Sequence, residues 1–241
     1  VLYSLTFISG LFFGSFFNLV SDRLPKGRKI IKGRSICDFC KKTLEVKDLI
    51  PVLSFIVYKG KCRRCKKKLS WYYPLSEILT GLVFVGIAFY SGVFVSRTPS
   101  SLLNFFYLAV MSSFYIIILL TDFKYKLIPD KVVYPAIIFN LLYIAFSAAL
   151  YYFISYNRLI NNAFGVYLLE VGYLKLQFFR VLQNIGMSIL SSGAIALFFA
   201  SLVWGTKGRG MGGGDIKLGF LIGLVNSFPL NILAIFLGFV F

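Results

Sequence analysis

Apolar residues run along this chain in six long stretches, at about 1–20, 74–96, 101–121, 132–155, 181–204 and 216–241, separated by polar segments of very unequal length. Most of them approach the ~20 residues that a helix needs to cross hydrocarbon. Spanning strands would show short alternating segments instead, so the pattern predicts helices. The first stretch has neither a basic leader nor a small-residue cleavage site and leads straight into a basic block, so it reads as a retained span. Pro229 divides the last stretch, and its first part, 216–228, would reach only ~20 Å at 1.5 Å per residue. It reads as a short or tilted span followed by the start of another. The chain opens on Val1 and stops at Phe241 with that second half incomplete, so a missing start and a further C-terminal span are expected.

The predicted fold class is therefore an all-α polytopic membrane protein, a bundle of about six to seven helical spans carrying one small soluble insert. Three regions follow: a first transmembrane helix at 1–20, an insert at 21–73 and a membrane bundle at 74–241. No repeat of 20 to 50 residues and no low-complexity linker is visible. Between the fourth and fifth spans, "YNRLINNAFGVYLLEVGYLKLQFFR" is less uniformly apolar and reads as an external loop with an interfacial helix.

Composition supports this picture. Of 241 residues, 58% are hydrophobic and only 15% charged, more apolar surface than one soluble core of this size could bury. The net charge of +17 is concentrated, because residues 21–73 hold 16 of the 26 Lys and Arg but only four of the nine acids. By the positive-inside rule that block stays in the cytoplasm. Orientation and attraction to the anionic lipid bilayer account for most of the charge. Nothing else resembles a nucleic-acid module, and no nucleic-acid partner is expected. With the insert inside, the second span leaves near Arg97, the third returns near Asp122, the fourth leaves and the fifth returns near Trp204. Asp122 and Asp215 then both fall at the cytoplasmic edge of the bilayer.

All four cysteines lie in the insert, as "CDFC" (Cys37, Cys40) and "CRRC" (Cys62, Cys65), with 21 residues between the pairs. Each C-x-x-C turn presents two thiolates to one ion, and two turns complete a closed tetrahedral site of the kind that holds structural zinc. Lys41, Lys42, Arg63 and Arg64 favour the thiolate forms. Two disulfides are the competing reading, disfavoured by a cytoplasmic position. A redox pair is the other, and no thioredoxin-like βαβ pattern accompanies it.

Outside the insert the acids are Glu77, Asp122, Asp130, Glu170 and Asp215. A carboxylate near hydrocarbon is costly, so each is informative. Asp122, Asp130 and Asp215 can simply mark helix ends in the wet interface, and Asp215 can sit at a helix N-terminus, where a carboxylate meets free amides. Its surroundings argue for more, because six of the ten residues from Gly205 to Gly214 are glycine. Glycine lets a backbone approach another chain closely, and a Cβ at Gly212 or Gly214 would obstruct such an approach. The glycines are not a phosphate loop, since the G-x-x-x-x-G-K-[ST] order is absent. With no histidine in the chain and the cysteines assigned to metal, a Ser-His-Asp or Cys-His apparatus is excluded. A carboxylate pair remains, one ionised to deprotonate water and one protonated to polarise a carbonyl.

Four segments carry a resemblance: "GSFFNLVSDRLP", the insert from "RSICDFCKK" to "YYPLSE", "TDFKYKLIPD" and "GMGGGDIKL". The chain resembles the bacterial type IV prepilin leader peptidase and N-methyltransferase family, membrane aspartic peptidases with a G-x-G-D signature. The resemblance implies Asp122 and Asp215 as the catalytic pair, and Asp130 as structural support beside them. Many relatives carry a second acid two places after the first, where this chain has Lys124. The role of Lys217 is left open.

The resemblance also implies a substrate, a prepilin or pseudopilin precursor whose basic leader is cut after a glycine on the cytoplasmic side of the inner membrane. It further implies methylation of the new N-terminus with S-adenosylmethionine. No glycine-rich Rossmann fingerprint places that cofactor, but family position points to "GSFFN" and the insert up to Glu77. Two other classes stay open. A cation transporter would want mid-span acids and paired broken helices, and a zinc-ribbon membrane scaffold would survive loss of both aspartates.

Overall fold

The computed structural model describes residues 1–30, 33–37, 39–207, 211–226 and 228–240, with the side chains of 236–240 set aside. Helices form nearly all of its regular structure. They are α1 (Leu2–Arg23), α2 (Leu53–Val57), α3 (Tyr72–Tyr90), α4 (Val93–Ser96), α5 (Pro99–Tyr125), α6 (Asp130–Ile160), α7 (Ala163–Glu170), α8 (Tyr173–Gly205), α9 (Gly213–Asn226) and α10 (Leu230–Val240). Local chemistry sets several boundaries. Thr98 caps α5, its hydroxyl accepting from the Ser101 N–H, and Pro99 opens the helix at a position that needs no donor. The same helix stops at Lys126, which turns left-handed (φ 53°) and closes the last turn onto the Asp122 carbonyl.

Five helices among the described residues, α1, α3, α5, α6 and α8, are long and apolar enough to cross a membrane. This is a multi-pass helical membrane protein. The sixth apolar stretch does not form one long helix. It is divided around Pro229 into α9 and α10, of 14 and 11 residues, so the expected six to seven spans become five long helices and two short ones. Proline has no N–H to donate and its ring clashes with the preceding turn, which accounts for the division. The segment read as an external loop contains α7, and α8 begins at Tyr173, several residues before the apolar run it carries.

The chain forms two compact units, Val1–Val132 and Val133–Phe241. In the first, α1 lies along α3, with α5 against both. The seam needs glycine: a Cβ at Gly10 would sit 2.7 Å from the Gly81 Cα, and one at Gly14 would sit 2.8 Å from the Glu77 Cα. Without a hydrophobic drive between helices in lipid, close backbone contact and interhelical hydrogen bonds do the work. Asn18 and Ser76 supply the bonds, exchanging contacts of 2.8 and 3.0 Å in the buried seam. In the second unit α9 packs along α8, and α10 joins through Asn231, whose amide donates to Ser191 at 2.7 Å.

Candidate active site

The insert between α1 and α3 is built from one small motif used twice. In the first knuckle the Cys37 N–H donates to the Lys42 carbonyl, Lys41 N–H to the Cys37 carbonyl, and Leu44 N–H to the Ser35 carbonyl. In the second, Cys62 pairs with Lys67, Lys66 with Cys62, and Leu69 with Gly60 in the same pattern. Lys41 and Lys66, each directly after a second cysteine, both turn left-handed at φ 57°. The two knuckles also match in sequence, since CDFCKKTL and CRRCKKKL share both cysteines, the lysine pair and the leucine, so a short repeat at an offset of 25 residues is present where none was expected.

The four sulfurs all lie within 4.8 Å of one another, and those of Cys37 and Cys65 are 4.0 Å apart. Tetrahedral Zn–S bonds of ~2.3 Å put sulfurs ~3.8 Å apart, so the cluster could hold such a metal with a small contraction. The backbone amide of Cys65 and then that of Arg64 pull the Cys62 thiol down to about 7, whereas burial pushes the Cys37 thiol up to about 11. Arg63 ties the second knuckle to the turn at Val46–Asp48. Its guanidinium bonds Glu45 at 2.5 Å, and its Nε lies 3.1 Å from Asp48 in an ionic rather than an aligned contact. Arg63 and then Lys47 hold the Glu45 carboxyl below the usual range.

Beneath the knuckles, a cavity of about 570 Å³ opens between the insert and the ends of α1 and α3. Glu77 is one of its walls and is 8% exposed, with a carboxylate oxygen accepting the Val52 N–H at 2.8 Å. Val52 is a β-branched residue at φ 59°, a conformation that costs energy and that this bond helps to hold. Ser15 and Asn18, both in "GSFFN", line the same cavity. The segment expected near Glu77 and the insert are therefore brought together in one place.

The aspartates occupy different units. Asp122 lies in the last turn of α5 and is exposed. Among the described residues no hydrogen bond or ion pair engages its carboxylate. Asp130 is the first residue of α6 and is also exposed. Asp215 stands in the first turn of α9, half-buried, with its carboxylate accepting the Gly212 N–H at 2.9 Å while its own N–H donates to the Gly212 carbonyl. This is one half of a capping box, the carboxylate reaching back to the cap N–H, since glycine has no side chain to return the bond. Among the described residues a Cβ on Gly212 would meet nothing nearer than the Asp215 carboxylate at 3.7 Å. Lys217, half a turn round the helix from Asp215, places its ammonium 5.1 Å from the centre of the Tyr134 ring. Gly208 and Gly210, counted in the glycine-rich stretch, lie outside the described residues.

One cluster was not anticipated from the sequence. Lys124 reaches Asp22 at the end of α1 and Tyr73 at the start of α3. Asp22 stood in plain view in "SDRLP", but nothing local links it to a residue 102 positions away.

A multi-pass helical membrane protein with a paired C-x-x-C insert after its first helix is the class that fold and site define. Residues 8–91 match the bacterial peptidase A24 N-terminal domain, and residues 109–241 match the type IV leader peptidase family. The chain belongs to the type IV leader peptidase family. It is 32% identical over 222 residues to a Bacillus subtilis protein named prepilin leader peptidase/N-methyltransferase, covering 92% of this chain and 73% of that one. A Vibrio cholerae protein of the same name is 29% identical over 226 residues, 90% of this chain and 74% of the relative. A third, from Klebsiella pneumoniae, is 34% identical over 148 residues, 57% of this chain and 61% of the relative. No solved structure matches the chain.

Proposed function

We propose that this chain removes the leader from prepilin or pseudopilin precursors as an aspartic peptidase, with Asp122 and Asp215 as its two carboxylates. The observation that carries the reading is the ordered match of both family domains across the chain, with Asp122 at the exposed end of α5 and Asp215 opening α9 behind three glycines. One carboxylate, ionised, takes a proton from water. The other, protonated, polarises the carbonyl of the glycine at the leader junction, and its proton passes to the amine of the next residue as the C–N bond breaks. Asp130 supports the turn before α6, and Gly212 and Gly214 leave room for an extended substrate backbone. A net charge of +17 repels a basic leader, so attraction comes from the local carboxylates and from the substrate's apolar helix. By charge asymmetry the insert and both aspartates face the cytoplasm, at the inner membrane.

Cys37, Cys40, Cys62 and Cys65 hold a structural zinc that ties the two knuckles into one unit, with no open position for chemistry. The three-part organisation, a first span, a zinc-binding insert and a peptidase bundle, follows from this reading. Methyl transfer is the second activity we assign. S-adenosylmethionine, when bound, supplies an electrophilic methyl group to the new N-terminal amine. In the cavity the buried Glu77 carboxylate would meet the cofactor's cationic sulfur, Leu19, Leu49 and Phe55 would offer an apolar wall, and lysines and arginines of the lining such as Arg23 and Lys29 would meet its carboxylate.

The test is incubation of membranes containing wild type, Asp122→Asn, Asp215→Asn or Glu77→Gln with a prepilin-type substrate. Each Asn variant should lose at least ~10³-fold in cleavage, the order seen when a member of a catalytic unit is removed. Glu77→Gln should cleave but fail to transfer labelled methyl groups. Normal cleavage by either Asn variant removes that aspartate from the mechanism.

A further inference from the structure

The last turn and a half of α5 is held from one side by a set of polar and aromatic contacts that converge on Lys124. Its ammonium lies 2.5 Å from the Asp22 carboxylate and 3.1 Å from the Tyr73 hydroxyl. It also sits 5.0 to 5.7 Å from the ring centres of Tyr72, Tyr73 and Tyr125. The Tyr125 hydroxyl donates to the same Asp22 carboxylate at 2.9 Å. One turn earlier the Tyr72 hydroxyl donates to the Leu120 carbonyl at 3.1 Å, and its ring stacks on Phe123 at 5.9 Å. Thr121 is tied back to the Ile117 carbonyl. From Leu120 to Tyr125, the side chains of Thr121, Phe123, Lys124 and Tyr125 and the carbonyl of Leu120 are engaged in these contacts. Asp122 gives its carbonyl to the C-cap N–H of Lys126, and among the described residues no hydrogen bond or ion pair engages its carboxylate.

We propose that Asp22 and Lys124 form a positioning pair that fixes the direction in which the Asp122 carboxylate points. At 3.6 residues per turn, Asp122 and Lys124 lie about 200° apart round the helix. Pinning Lys124 to α1 and α3 therefore turns Asp122 away from them, with little rotation left to the final turn. An unpinned C-terminal turn would fray, since its last carbonyls have no helical partners. The aromatic rings make the pin specific to a cation: they screen Lys124 from water on several sides and favour its charge over a neutral amide. Asp22 and Tyr73 are the two stems of the insert, so the metal-bearing segment and the last turn of α5 meet at one ammonium group. Lys124 is thus a structural cation whose charge is already matched, and it takes no part in binding substrate.

This inference rests on Asp122 acting in cleavage, and its test separates the two. The full chain, purified with its metal, is assayed on a peptide with a basic leader, a glycine junction and an apolar helix. Rates are taken per folded molecule. Lys124→Met and Asp22→Asn should each lower kcat about tenfold or more, as misplacement of a reacting group does, with KM within about threefold of wild type. Lys124→Arg, which keeps a cation among the three rings, should keep most of the rate. In parallel, a nitroxide placed through Asp122→Cys reports local motion and should become more mobile when Lys124→Met or Asp22→Asn is added. That measurement needs no activity, so it judges the pin even if Asp122→Asn cleaves normally and the catalytic reading falls. Unchanged label mobility, or singles that lower thermal stability while keeping kcat per folded molecule, would overturn the proposal. Should either single variant not fold, Tyr125→Phe, which removes one bond to Asp22, is expected to raise mobility by a smaller step. No change there would also count against the pin.

Discussion

Gly212 shows how a single residue separates folding from chemistry. Among the described residues a Cβ there would meet only the Asp215 carboxylate at 3.7 Å and the Gly214 N at 4.0 Å, so none of them demands glycine. The proposed reading does demand it, because an extended peptide approaching Asp215 would pass over that surface. Gly212→Ala should therefore fold and insert normally while cleavage falls about tenfold, on the scale of a small displacement at a reacting centre. Kinetics with a prepilin-type substrate, beside a thermal melt, check both halves. Glu77 makes the converse point. The sequence marked it as a rare acid in the segment where the resemblance points to the cofactor, and its bond to a strained Val52 shows that it also anchors the insert to α3.

At the scale of elements, the proposed zinc is what would close the knuckle pair. Each knuckle has only a handful of backbone bonds, and four thiols at van der Waals range give little cohesion. Metal binding needs thiolates, so it displaces protons from any thiol still protonated. Cys37, pushed up to about 11 by burial, carries its proton at neutral pH in the metal-free protein. Zinc uptake at pH 7 should therefore release protons, detectable with an indicator dye, and affinity should rise with pH. Cys62→Ser should abolish stoichiometric binding. Because no catalytic group lies among the ligands, loss of metal should reduce activity through unfolding of the insert rather than through the cleavage step.

At the scale of the whole molecule, charge and hydropathy make a topological prediction. The insert and the start of α9 should be reachable by impermeant reagents only from the cytoplasmic side, and the segment around α7 only from outside. Single-cysteine labelling at exposed positions, such as Lys59 and Phe164, in inverted and right-side-out vesicles checks this.

Much of the architecture was legible because its physics is local. Runs of ~20 apolar residues can only be spanning helices, Pro229 had to interrupt the last of them, and paired C-x-x-C turns bring sulfurs together over short loops. The aspartates stood out because acids are scarce in an apolar chain. Tertiary structure alone decided the contacts between distant segments. Gly10 and Gly14 read as ordinary span residues until α3 is laid against them. Asp22 and Lys124, 102 positions apart, become partners only when α1, α3 and α5 pack. No spacing rule connects them, because an ion pair across a helix bundle is set by which faces the packing brings together, and a one-dimensional pattern does not encode that choice.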